Sequence, residues 1–125
     1  MKSIRVLVAN RPRLMRELVL ATIADQPDVE IVGEIPDGGE IAAVVERILP
    51  DVLVVALDGA DRLPGECYGL FQRYPELRIV AIAPERESSL YCWATVNIHS
   101  VRMEVSEQGI LHALRGRPRF VGDKT

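Results

Sequence analysis

The stretch "PDVLVVALDGADRLPG", Pro50 to Gly65, decides the fold. Pro50 and Asp51 punctuate the chain, Val52 to Leu57 run apolar without a break, and an acid-and-glycine loop opens at Asp58. A continuous apolar run of this length, bounded by turn residues, fits a strand buried on both faces, as in a parallel sheet. In such sheets chemistry gathers beyond the carboxyl ends of the strands. Here the last strand positions are Ala56 and Leu57, neither of which carries a reactive group.

Working outward, apolar runs alternate with segments of helical spacing. Ile4 to Ala9 reads as a first strand, and Pro12 to Ala24 as a helix with Leu14, Met15, Leu18 and Val19 on one face. Val29 to Val32 reads as a second strand. Asp37 and Glu40 form a capping-box pattern ahead of Ile41, Val44, Val45 and Ile48, one helical face. Glu66 to Tyr74 reads as a helix and Leu77 to Ala83 as a fourth strand. Beyond it the spacing predicts a short helix over Glu85 to Thr95, a weakly marked fifth strand over Val96 to Arg102, and a last helix capped by Ser106. Five strand–helix pairs predict an α/β, three-layer, doubly wound (βα)5 sandwich. The domain covers residues 1–115, with a tail or linker over 116–125.

The chain has 125 residues, enough for one hydrophobic core, and its 48% hydrophobic and 26% charged fractions are those of a soluble globular domain. A net charge of −3 argues against a nucleic-acid binder. No apolar run approaches the length of a membrane span, and "MKSIRVLVAN" lacks the long apolar core of a signal peptide, so a cytoplasmic location is expected. Cys67 and Cys92 match no metal or redox spacing and read as small half-buried residues. His99 and His112 form no ligand cluster, so neither a metal nor another cofactor is expected.

Four segments together resemble the receiver domain of response regulators, most of all the receivers of LuxR-type regulators: "IRVLVANRPRLMREL", "DQPDVEIVGEIPDGGEIAAVVERILPDVLVV", "YPELRIVAIA" and "SEQGILHALR". The likeness runs from about Ile4 to Arg115. It implies a flavodoxin/CheY-like fold with a parallel five-stranded sheet in the order 2-1-3-4-5. A working receiver carries an acid pair after strand one for Mg²⁺ and an acceptor aspartate ending strand three. It also has a hydroxyl ending strand four, a lysine after strand five, and a switching aromatic. Two carboxylates and the acceptor supply hard oxygen ligands, the lysine neutralises phosphoryl charge, and the acceptor is the nucleophile.

None of these groups survives here. The acid pair falls on Asn10 and Arg11, the acceptor on Ala56 (Val55 with a one-residue slip), the hydroxyl on Ala83, the lysine on Met103 and the aromatic on Ser100. The resemblance therefore implies a degenerate pseudo-receiver. Asp58 and Asp61 are the nearby carboxylates, and residual phosphoacceptance on one of them is an alternative; Asp-Gly is also ordinary turn chemistry. Arg11, in a local basic group with Arg13 and Arg16, is a candidate partner for Asp58 or for an anionic ligand, and equally a solvated surface arginine.

The expected function is a non-enzymatic, phosphorylation-independent protein–protein interaction module of signal transduction or transcriptional regulation. It would dock a partner, or a second copy, through the face of helix four, strand five and helix five. Tyr91, Trp93, Ser100 and Arg102 are the candidate contacts there, and Trp93 closing the core against Phe71 is the bland alternative. A second class of function is a small-molecule sensor using the emptied crevice at the strand ends, with Arg11 at its mouth. The tail arginines Arg115, Arg117 and Arg119 are candidate phosphate contacts, but no helix-turn-helix follows and DNA binding by this chain is not expected.

Overall fold

The structure is a computed structural model and describes residues 3–9, 13–35, 40–59, 62–94, 98–103 and 105–116. The expected first half is present. Strand β1 (Ile4–Ala9) leads to helix α1 (Arg13–Ile23), β2 (Val29–Ile35), α2 (Ile41–Ile48) and β3 (Val52–Ala56). A single 3-10 turn (Gly65–Cys67) then enters α3 (Tyr68–Arg73), and β4 (Arg78–Ala83) follows. These four strands pair in parallel in the order β2-β1-β3-β4. Every residue from Val52 to Val55 is buried, as an apolar run between two helical layers requires.

After β4 the expectation fails. The segment read as a helix over Glu85 to Thr95 is a 3-10 turn (Pro84–Arg86) and a strand, β5 (Ser88–Ala94), antiparallel to β4. The segment read as the fifth strand is β6 (Ile98–Arg102), antiparallel to β5 and therefore parallel to β4. The sheet is mixed and six-stranded, in the order β2-β1-β3-β4-β5-β6, not parallel and five-stranded. Two physical facts account for this. Only residues 84–87 separate β4 from β5, with Glu87 in the left-handed region at φ 51°, whereas a parallel connection needs a dozen residues or more. And residues 88–94 alternate with period two between apolar surroundings. Tyr91 and Trp93 pack on one side of the sheet, Leu90, Cys92 and Ala94 on the other, so no side chain set is left for a helix's wet face.

Helix α4 (Glu107–Leu114) completes the fold, and its Ser106 cap is as expected, the hydroxyl accepting from Gly109 N at 3.0 Å. Helices α1 and α4 cover one face over Val6, Val8, Val54, Val80 and Ile82; α2 and α3 cover the other over Leu7, Leu53, Val55, Ile79 and Ala81. Glu40 stands at the N-cap of α2 without a side-chain cap bond, and Asp37, its expected capping partner, lies outside the described residues. Among the described residues no helix is long and apolar enough to cross a membrane.

Candidate functional site

The carboxyl ends of β3 and β4 meet through Leu57 N, which donates to Ile82 O at 3.2 Å. Ala56, at the acceptor position, is the last residue of β3 and half-buried opposite Ile82; Ala83 is the buried last residue of β4. Asn10, Arg11 and Asp61 lie outside the described residues. Asp58 is committed to its own loop. Its backbone N donates to Arg62 O and its Oδ1 accepts from Arg62 N, both at 2.9 Å, which closes the turn after β3. The donor set does not fit the Mg²⁺ that the receiver resemblance implies. Of the three positions that the resemblance implies for its oxygen ligands, the structure describes only Ala56, whose methyl offers none. Among the described residues no group of three or more His, Cys, Asp or Glu could hold a metal ion.

Met103, at the lysine position, is a core side chain, 1% exposed, packed in the cluster beneath α1 and α4. It follows β6, three strand steps from β3, about 14 Å across the sheet at the usual strand spacing. The sequence reading missed what β5 brings here. Ser88 and Ser89 are buried opposite Ala83 and Ile82, and Ser89 Oγ donates to Met103 O at 3.0 Å. Arg102 Nη1 reaches Ser88 Oγ at 3.3 Å. A period-two reading of "SSLYCWA" would have exposed both serines as strand residues needing partners.

The expected interaction residues fall on β5 and β6. Tyr91 is buried, while Ser100 and Arg102 are exposed on the outermost strand. Trp93 is half-buried; its ring lies 5.6 Å from Tyr91 and stacks on His99 of β6 at 5.1 Å and 17° between planes. It does not close against Phe71, which belongs to the core on the opposite face of the sheet. The expected face of helix four, strand five and helix five does not exist as such, because its helix four is β5.

The remaining arginines are largely spent on structure. Arg13 pairs with Glu17 at 3.0 Å, and Arg16 forks onto Glu34, whose carboxyl this hydrogen bond holds below its usual range. Arg115 grips both oxygens of Asp28 at 2.9 Å and Gln26 at 2.7 Å, tying the end of α4 to the turn before β2. It clamps these two segments together; Arg117 and Arg119 lie outside the described residues.

Cys67 and Cys92 are buried, more fully than the sequence suggested, in the core beneath α2 and α3. Burial pushes the Cys67 thiol up to about 12, with smaller contributions from Glu66 and Cys92, and the Cys92 thiol up to about 11. Both should resist a thiolate-selective reagent at pH 8 in the folded protein and react at once in denaturant. Raised thiol values in the fold mean that the unfolded chain loses these protons first. Stability should therefore be intact below about pH 8.5 and fall as pH climbs toward 11–12. Urea titrations from pH 7 to 10.5 read the effect, and a rise in stability over that range would contradict it.

Cavities of about 550 and 480 Å³ lie at the amino ends of the parallel strands, away from the carboxyl ends of β3 and β4: one against Arg78, Tyr91 and Trp93, the other against Leu49, Asp51 and Tyr74.

No family model matches the chain, and no solved structure matches it significantly. The chain is similar to a protein-glutamate methylesterase/protein-glutamine glutaminase 2 of Anaeromyxobacter dehalogenans (strain 2CP-C), 37% identical over 60 residues. The match covers 48% of this chain and 18% of that protein's length.

Proposed function

We propose that the chain is a pseudo-receiver, a non-enzymatic module that takes part in signal transduction or transcriptional regulation by docking protein partners without being phosphorylated. The observation that carries this reading is the chemistry of the strand ends. Ala56 and Ala83 terminate β3 and β4, and Met103 is sealed in the core behind an added strand. At these two strand ends a phosphoryl group would meet the methyl groups of Ala56 and Ala83, with neither a nucleophilic carboxylate nor a hydroxyl at those positions. The docking surface is β6, whose exposed His99, Ser100 and Arg102 lie on the open edge of the sheet among the described residues. An edge strand offers backbone donors and acceptors to a partner strand, with side chains to select it.

Two measurements test the proposal. Acetyl phosphate with Mg²⁺ should leave the mass of the intact protein unchanged; a hydroxylamine-labile adduct on Asp58 or Asp61 would return the chain to phosphorelay chemistry. Affinity capture from the native cell should lose specific partners when Ser100→Pro and Arg102→Glu are introduced together. A partner list identical to the wild type's, from a variant shown to be folded, would remove β6 as the docking surface.

A further inference from the structure

We infer that the cavity of about 480 Å³ between the ends of α2 and α3 takes Leu49 of a second copy of this chain, so that two copies pair about a two-fold axis. The apolar part of its wall is Val45 and Leu49 at the end of α2, Tyr74 and Leu77 on the connection into β4, and Pro50 and Pro75. Val45 and Leu77 are buried and Tyr74 is half-buried, whereas Leu49 is 56% exposed, one of three large apolar side chains so exposed among the described residues.

Leu49 is presented on a fixed corner. It caps α2 in the left-handed region, at φ 54° and ψ 62°, and its N donates to Val45 O at 2.7 Å. Glycine or asparagine is the usual residue there, and a residue that precedes proline, as Leu49 precedes Pro50, ordinarily takes extended backbone. Arg5 of β1 locks the turn, donating from Nη1 to Leu49 O at 2.6 Å and from Nη2 to Ile48 O at 3.0 Å. Asp51 ties the same corner down: its N donates to Arg5 O and its Oδ2 accepts from Arg5 N, both at 2.9 Å. A leucine is a costly choice for such a turn, and its side chain points to a use outside its own core. Held this firmly, it gives up little backbone freedom when it binds.

A protruding side chain beside a cavity is complementary to itself. A two-fold axis passing between them seats each Leu49 in the other copy's cavity, an isologous contact. Charge favours the same occupant. Asp51, Glu76 and Arg73 are exposed on the cavity wall, with Glu46 and Arg47 exposed on α2 beside it. An approaching surface of one sign would meet like charge, whereas a second copy brings both signs. Arg73 holds Glu46 only at 3.6 Å with both side chains more than half exposed, so it can turn to a carboxylate of the other copy at little cost. One leucine and its rim cover less than the roughly 800 Å² per partner of a standard interface, which makes this a weak dimer. The contact lies on α2 and α3 and does not rest on β6 as a docking surface.

Leu49→Gly is the informative variant, because glycine suits the left-handed corner and removes the protruding side chain without straining the fold. Sedimentation equilibrium of the full chain, from about 10 µM to about 1 mM, should show the wild type passing from monomer toward dimer. Leu49→Gly should dimerise roughly ten-fold more weakly or worse. On dilution of isotope-labelled wild type, the NMR amide signals of Val45, Tyr74 and Leu77 should shift and those of His99 and Ser100 should stay. A wild type that is monomeric throughout would overturn the inference. So would a dimer of equal strength in Leu49→Gly, since the copies would then be meeting through another surface.

Discussion

Met103→Lys is expected to destabilise the fold by roughly 4–5 kcal/mol at pH 7, although a lysine is what the receiver resemblance implies at this position. Met103 is 1% exposed in the apolar cluster of Val80, Ile82, Ile110 and Leu114. An ammonium there must be buried without a partner or give up its proton. Giving it up at pH 7 costs about 1.36 kcal/mol for each unit below lysine's ordinary value near 10.4. The unfolded chain keeps the proton that the folded one has lost, so the variant's stability should rise with pH and the deficit should shrink toward pH 10. Met103→Leu conserves volume and apolarity and should cost less than about 1.5 kcal/mol. Urea unfolding of the three proteins at pH 7 and 9.5 makes the comparison. A Met103→Lys protein with wild-type stability at pH 7 would mean that this side chain reaches water, and the core assignment would be wrong. The result bears on the proposed function because a lysine placed here, as the receiver resemblance implies, would have to displace core packing.

Much of the fold was legible because β1, β3 and β4 are apolar on both faces, and only a strand between two helical layers demands that over five or six residues. The helical face of Ile41, Val44, Val45 and Ile48 was equally plain. Residues 85–95 were not, because their apolar part, Leu90 to Ala94, is short enough to fit a buried helix and a buried strand alike. The deciding feature was the four-residue connection Pro84 to Glu87, which forbids a parallel return, and its meaning depends on where β4 stops. That Ala56 and Ala83 close their strands could be read by position, within a residue. The burial of Met103 and the partners of Ser88 and Ser89 could not, since both follow from the strand that was misread. Arg115 was legible as a charge and not as a clamp, because Asp28 is 87 residues away in sequence.

Tyr91→Ala should cost about 3–5 kcal/mol, the range for removing a buried aromatic ring, and lower the thermal midpoint by well over ten degrees. Tyr91 is 5% exposed, lies on the central side of β5 opposite Val80, and shares a core with Met103 and Leu114. Its loss would open a void between α4 and the sheet that the neighbouring β-strands are too constrained to fill. Ser100→Ala and Arg102→Ala, on the exposed outer strand, should each stay within about 0.5 kcal/mol, the Arg102 change costing only a long 3.3 Å contact to Ser88. The contrast separates packing from recognition within one pair of strands. A partner lost on Tyr91→Ala reports unfolding as readily as a contact, whereas one lost on Arg102→Ala with an unchanged melting curve reports the surface. Differential scanning fluorimetry of the three variants settles the order. A Tyr91→Ala protein as stable as Arg102→Ala would move Tyr91 out of the core and into the docking face.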